Sequence, residues 1–189
     1  MSGLDTVRTI GSELSAVDHA LYAAVANTPT PNLDEGLRAL SQAANKSVLW
    51  LTIAGGMAAL GGSRGRRAAL TGVASIAAAS LLVNAGVKIV ARRDRPDRSH
   101  DAEDRFVPMP TSTSFPSGHS ASAFAFAQGV SAAAPRMALP LHVAATAVAY
   151  SRVHTGVHYP GDVVAGSVIG VMTGAMVGRA LNRRLNPPR

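Results

Sequence analysis

Three short clusters in this chain carry the side chains of a phosphate pocket. The first runs from Lys88 to Arg95-Pro96, the second is Pro116-Ser117-Gly118-His119, and the third runs from Ser151-Arg152 to His158 and Asp162. Together they supply three fixed cations (Lys88, Arg95 and Arg152), two imidazoles and a carboxylate, the set needed to make and break a phosphohistidine. Phosphoryl transfer is mostly positioning and charge neutralisation. Arginine offers a planar fork matched to phosphate oxygens, and lysine a compact point charge. Ser117 can cap a helix whose first N–H groups face an anion, and Gly118 lets the backbone come close to it. His119 titrates near neutral pH and can protonate a leaving alkoxide. His158 can attack phosphorus if its other ring nitrogen is held by a carboxylate, and Asp162, four residues on, can hold it.

Each cluster alone has a plainer reading. Lys88 at the end of an apolar run is an interfacial anchor, as are Arg92 and Arg93 if they are not simply loop charges. Ser114–His119 is an ordinary turn and cap, and Asp162 caps the next helix. His154, His158 and Asp162 step by four, so a continuous helix would align them as three metal ligands. Gly156 and Pro160-Gly161 argue against that helix, and there is no second carboxylate cluster for magnesium. Neither a metal nor another cofactor is expected.

The elements that must hold these residues are apolar. Five segments run without a charge: Ser47–Ser63, Ala68–Val87, Ser120–Pro135, Met137–Ser151 and Val163–Gly178. A bilayer core needs about 20 apolar residues in a helix. Ala68–Val87 meets that, and the others can span if flanking Arg and Lys snorkel to the headgroups. Five buried helices of a soluble all-α protein are the alternative, but only 15% of the 189 residues are charged. The expected fold is an all-α membrane bundle with about five spanning helices. Residues 46–189 form that unit, and residues 1–45 precede it. Val7, Ile10, Leu14, Val17, Leu21 and Val25 make one helical stripe, Thr28–Asn32 breaks it, and Leu33, Leu37 and Leu40 start another. Asp18, His19, Asp34, Glu35 and Arg38 interrupt any span there, so these helices are expected at the membrane interface.

Five spans put all three clusters on one side. The loop at Arg64, Arg66 and Arg67 then shares the other side with Arg136, Arg179, Arg183, Arg184 and Arg189. Discounting basic residues with a chemical role places that second side in the cytoplasm and the clusters outside. The net charge of +7 suits anionic lipid or a phosphorylated substrate. Nucleic acid is not expected, with aromatics at 4% and the arginines at the ends of apolar runs. The absence of cysteine excludes disulfides, zinc–thiolate sites and a thiol nucleophile. The start, MSGLDTVRTIGSELS, lacks the features of a signal peptide. Oligomeric state has no readable signal.

The three clusters resemble the signature motifs of the type 2 phosphatidic acid phosphatase (PAP2) family, which also includes vanadium haloperoxidases. The pattern is Lys, six residues, Arg-Pro; then Pro-Ser-Gly-His; then Ser-Arg, five residues, His, three residues, Asp. Lys88–Pro96, Pro116–His119 and Ser151–Asp162 fit it without departure, and the likeness covers about residues 70–180. Small actinobacterial members are similar around SFPSGHSASAFAF and AYSRVHTGVHYPGD. The resemblance implies a metal-independent membrane lipid phosphatase, multi-pass in a bacterial plasma membrane, with its site at the outer face. It implies that His158 is the nucleophile, oriented by Asp162, and so selects His158 over His154. It implies that His119 is the general acid and then activates water, while Lys88, Arg95, Ser117, Gly118 and Arg152 hold the phosphate. Phosphatidic acid, phosphatidylglycerophosphate and polyprenyl phosphates all suit this chemistry. Haloperoxidase activity is a second reading, disfavoured by the lipid-length segments and small size. A non-catalytic membrane scaffold is a third, disfavoured by the intact set of chemical groups.

Overall fold

A computed structural model describes residues 3–99 and 101–185, and every described element is helical. Two N-terminal helices, α1 (Gly3–Ala26) and α2 (Pro31–Ala43), come first. A short 3-10 turn, Asn45–Ser47, leads into α3 (Val48–Leu60). Next come α4 (Gly62–Leu81), a π turn (Leu82–Val87) and the brief α5 (Lys88–Val90), which run on as one rod. A long loop holding one 3-10 turn (Glu103–Arg105) precedes α6 (Gly118–Ala133), α7 (Ala138–His154) and α8 (Pro160–Leu185). The five apolar segments thus fold as α3, the α4–α5 rod, α6, α7 and α8.

Two of these are long and apolar enough to cross a membrane, Gly62–Val90 with mean hydropathy 1.8 and Pro160–Arg184 with 1.5. The other three are shorter than the roughly 20 residues a bilayer core needs. Thus α3 has 13 residues, α6 has 16 and α7 has 17, or roughly 20–26 Å at ~1.5 Å per residue.

The packing runs inside-out relative to a soluble bundle. The central helix α6 touches α4, α7 and α8, and buries Ser120, Ala121, Ser122, Ala123, Ala125, Phe126 and Ala127. Its contact with α8 is a close backbone approach built on glycines four residues apart. A Cβ on Gly174 would lie 2.6 Å from the Ala125 carbonyl oxygen, and one on Gly178 would lie 2.7 Å from Ala132 Cβ. Small residues at such seams let helices meet in lipid, where there is no water to drive large apolar groups inward. Trp50, Phe126 and Leu141 fill the core, but many large apolar side chains face out: Val164, Val168, Met172 and Met176 form an exposed stripe on α8, and Leu81, Leu82, Ile89 and Val90 lie bare along the α4–α5 rod.

The apolar stripe of α1 is seen in the structure, with one addition. Ile10, Leu14, Val17 and Leu21 are exposed, whereas Val25 is half-buried against Tyr22, Val153 and Tyr159. The side chain of Val7, and Arg189, lie outside the described residues. The addition is that α1 and α2 are pinned to the bundle by polar contacts. Buried Arg105 donates to the carbonyls of Val25, Ala26 and Thr28, satisfying the open end of α1. The same Arg105 pairs with Asp34 of α2 at 3.1 Å.

Candidate active site

Helix polarity brings the three clusters together. Lys88 is at the C-terminal end of the α4–α5 rod, Gly118 and His119 open α6, Arg152 lies in the last turn of α7, and Asp162 lies in the first turn of α8. All four ends face the same side. The arginines at the start of α4 face the far side, where Arg64 and Arg67 meet Ala133 at the end of α6. A cavity of about 200 Å³ opens among the near ends, with Lys88, Arg95, Gly118, His119 and His158 in its wall.

His158 lies in the short connection between α7 and α8. Gly156, at φ +67°, makes the turn that ends α7, and this conformation is open to glycine at little cost. The two ring nitrogens of His158 face different groups. Nε2 is 3.4 Å from Arg95 Nη1, on the cavity side. Nδ1 is 3.6 Å from Asp162 Oδ2 and 3.4 Å from Ser114 Oγ. Ser114 also donates a short hydrogen bond to Asp162 Oδ2, so imidazole, hydroxyl and carboxylate form a triangle in which Asp162 faces Nδ1. Asp162 is fully buried and takes a further hydrogen bond from the Tyr159 N–H at 2.9 Å. Burial pushes the His158 imidazole down to about 4, against the opposing pull of Asp162, so the ring is neutral at pH 7 with a lone pair to offer.

The cation set is assembled by the loop before α6. Arg95 donates to the carbonyls of Ser112 at 3.0 Å and Val157 at 2.5 Å, and Lys88 donates to Ser112 Oγ at 3.1 Å. These contacts hold two cations beside the cavity. Arg152 is buried and does not line the cavity. Its Nη1 donates to Ser41 Oγ at 2.6 Å and its Nε has no partner. Ser117 differs from the expectation for a phosphate contact. Its hydroxyl is fully buried, caps α6 and accepts from the Ser120 hydroxyl at 3.0 Å, and its N–H donates to the Asp162 carbonyl. At this turn Gly118 and His119 line the cavity and Ser117 does not.

His154 is drawn away from the site, with Nε2 2.8 Å from Asp34 Oδ1. With α7 ending at His154 and α8 starting at Pro160, the four-residue steps do not line up on one helix, and no group of three or more metal-ligating side chains occurs among the described residues.

Several residues here were not read from sequence. His119 Nε2 is 2.9 Å from Asn45 Oδ1, in the turn before α3. Arg93, expected as an anchor or loop charge, is neither. Its Nη1 lies 2.9 Å from Asp162 Oδ1 and 2.7 Å from Asp18 Oδ2, and its guanidinium stacks 4.1 Å from the Tyr159 ring centre. The two carboxylates hold the Arg93 pKa above its usual range despite the opposing effect of burial. Asp18 also accepts the Gly161 N–H at 2.7 Å and so caps α8 from outside. For Ser114, its place in the Ser114–His119 run was a signal. For Asn45, Arg93 and Asp18 there was none, because their partners are far away in sequence.

The PAP2 superfamily profile matches residues 68–185. The decaprenylphosphoryl-5-phosphoribose phosphatase of Mycolicibacterium smegmatis is 36% identical over 158 residues, covering 80% of this chain and 79% of that protein. The lipid A 1-phosphatase of Rhizobium johnstonii is 38% identical over 82 residues, only 41% of this chain and 34% of that protein. Among solved structures, the PAP2-type phosphatidylglycerolphosphate phosphatase of Bacillus subtilis superposes with a TM-score of 0.72 at 23% identity, over 94% of this chain and 90% of that one. Family profile, the M. smegmatis relative and bundle topology agree, and the chain belongs to the PAP2 superfamily as a membrane lipid phosphatase.

Proposed function

We propose that the protein removes a terminal phosphate from a lipid whose tail stays in the bilayer, through a phosphohistidine on His158, at the extracytoplasmic face of a bacterial plasma membrane. The observation that carries this is the division of His158: one nitrogen toward a buried acid, the other toward a cation-lined cavity.

In the first step the Nε2 lone pair of His158 attacks phosphorus and the P–O bond to the lipid breaks. His119 gives its proton to the departing oxygen, releasing a lipid alcohol or a shorter phosphate. In the second step His119 takes a proton from water, the hydroxide attacks phosphorus, and the P–N bond breaks with its electrons returning to Nε2. Asp162 and Ser114 hold Nδ1, and Arg93 fixes Asp162 from the other side. Asn45 fixes the ring of His119. Lys88, Arg95 and the Gly118–His119 turn neutralise the phosphate oxygens, and the buried Arg152 adds its positive charge from behind the cavity wall. The exposed apolar side chains of the α4–α5 rod, ending at Val90 beside Lys88, give the lipid tail a face to lie against. The bare stripe of α1, next to the start of α8, lies in the interface.

Phosphatidic acid, phosphatidylglycerophosphate and polyprenyl-linked phosphates, including the polyprenyl-phosphosugar phosphate named for the M. smegmatis relative, are the candidate substrates. The test is release of inorganic phosphate from these lipids by purified protein in detergent. Wild type should release it, and His158→Ala should neither release it nor retain acid-labile phosphate on the protein. Release that survives His158→Ala would overturn the mechanism.

A further inference from the structure

The motif residues occupy only part of the cavity wall. The rest comes from Lys46 and Ser47, just before α3, and from Ser80, Asn84 and Ser122, on the α4–α5 rod and α6. Two local distortions of the backbone meet here. Lys46 (φ 51°, ψ 25°) and Ser47 (φ 58°, ψ 19°) are consecutive non-glycine residues in the left-handed region, which side chains disfavour. Facing them, Asn84 sits in the π turn Leu82–Val87, a wide turn that interrupts the α4–α5 rod. Such turns concentrate at functional sites. Neither distortion is needed to hold one phosphate, because Lys88, Arg95 and the α6 turn are set by other contacts. Both add polar groups to the same cavity.

Resting on the lipid phosphatase reading above, we infer that Lys46, Ser47, Ser80 and Asn84 form a headgroup subsite that takes a second anion and a hydroxylated spacer beyond the phosphate being removed. The chemistry fits in three ways. Lys46 is a cation additional to the motif set, and it is exposed at the cavity, where a compact ammonium attracts an anion without a buried-charge penalty. An amide and two hydroxyls are the groups that recognise hydroxyls, whereas the diacylglycerol that carries the phosphate of phosphatidic acid has no free hydroxyl for them to pair with. About 200 Å³ is the space of roughly seven waters at ~30 Å³ each, more than the phosphorus and four oxygens of one phosphate fill. The ligand class is a lipid whose terminal phosphomonoester is joined through a polyol or sugar to a phosphodiester.

Two diacyl lipids with the same tail separate the terms. Phosphatidic acid has the phosphomonoester alone, and phosphatidylglycerophosphate adds a hydroxylated spacer and a phosphodiester. The readout is kcat/KM for phosphate release from each in mixed micelles, taken as a ratio. Wild type should favour phosphatidylglycerophosphate. Lys46→Gln should collapse that preference about tenfold, mainly through KM, and Lys46→Arg should largely keep it. Asn84→Ala should lower the ratio by a smaller factor. A wild-type protein with no preference, or a ratio unmoved in both Lys46→Gln and Asn84→Ala, overturns the subsite. Because the ratio is internal to each variant, loss of folded protein does not imitate the effect. Release from neither lipid by the wild type would overturn the phosphatase reading itself, and the subsite with it.

Discussion

Replacing Arg93 tests whether the catalytic carboxylate is held from behind. Arg93 bridges Asp162 and Asp18 at 2.9 and 2.7 Å, with its own side chain 26% exposed and Asp162 fully buried. Removing one partner of a buried ion pair costs ~3–5 kcal/mol, because the remaining charge is left in a poor solvent. In Arg93→Ala the carboxylate keeps its Ser114 and Tyr159 donors and some water can enter, so about 2–3 kcal/mol is the fitting scale. If Asp162 must keep its place in the transition state, that loss is roughly a 30- to 150-fold fall in kcat at ~1.36 kcal/mol per tenfold, with KM little changed. The pH profile moves as well. His158 attacks only when neutral, so activity is present above its pKa and is lost as pH falls through it. That pKa is about 4 with Arg93 in place. Without the guanidinium the full charge of Asp162 acts on the imidazole, the His158 pKa rises toward its ordinary value, and the acid limb of kcat/KM moves to higher pH. Asp18→Asn keeps a cap on the Gly161 N–H but removes the outer ion pair, and it should show the same shift to a smaller degree. The assay is phosphate release in detergent across pH 4–9, with a thermal melt on each variant. A merely structural Arg93 would lower the melt and leave the acid limb in place. A kcat within twofold of wild type together with an unmoved limb would refute the reasoning.

Two further outcomes follow from distances in the bundle. Asn45→Ala removes the partner 2.9 Å from His119 Nε2 and should lower kcat about tenfold in steady-state phosphate release, with Asn45→Asp retaining more activity than Ala because it keeps an acceptor. Gly174→Val drives a side chain into the Ala125 carbonyl, 2.6 Å from the new Cβ. It should cost about 1–3 kcal/mol of overpacking, a fall of roughly 3–10 °C in the detergent melting temperature.

The sequence by itself determined the all-α membrane bundle and the core of the candidate site. Lys88, Arg95, His119, His158 and Asp162 were legible because their spacing is local to each cluster, and because charge-free runs between the clusters fix which helix ends lie together. The break after His154 was legible too, from Gly156 and Pro160-Gly161. Tertiary structure decided what surrounds those residues. Asp18 and Arg93 are 75 residues apart and meet only because α1 crosses the N-terminus of α8, where a buried carboxylate needs a cation. Arg93 was misread because an arginine after an apolar run has the same local signature whether it meets a headgroup or a buried acid. Ser117 was legible as a cap, but whether its side chain also reaches the cavity depended on how deeply the turn is buried. Spacing fixes what one stretch of backbone can present. Long-range packing fixes which of those groups are already taken, since a buried polar atom must find its partner among whatever the fold brings within reach.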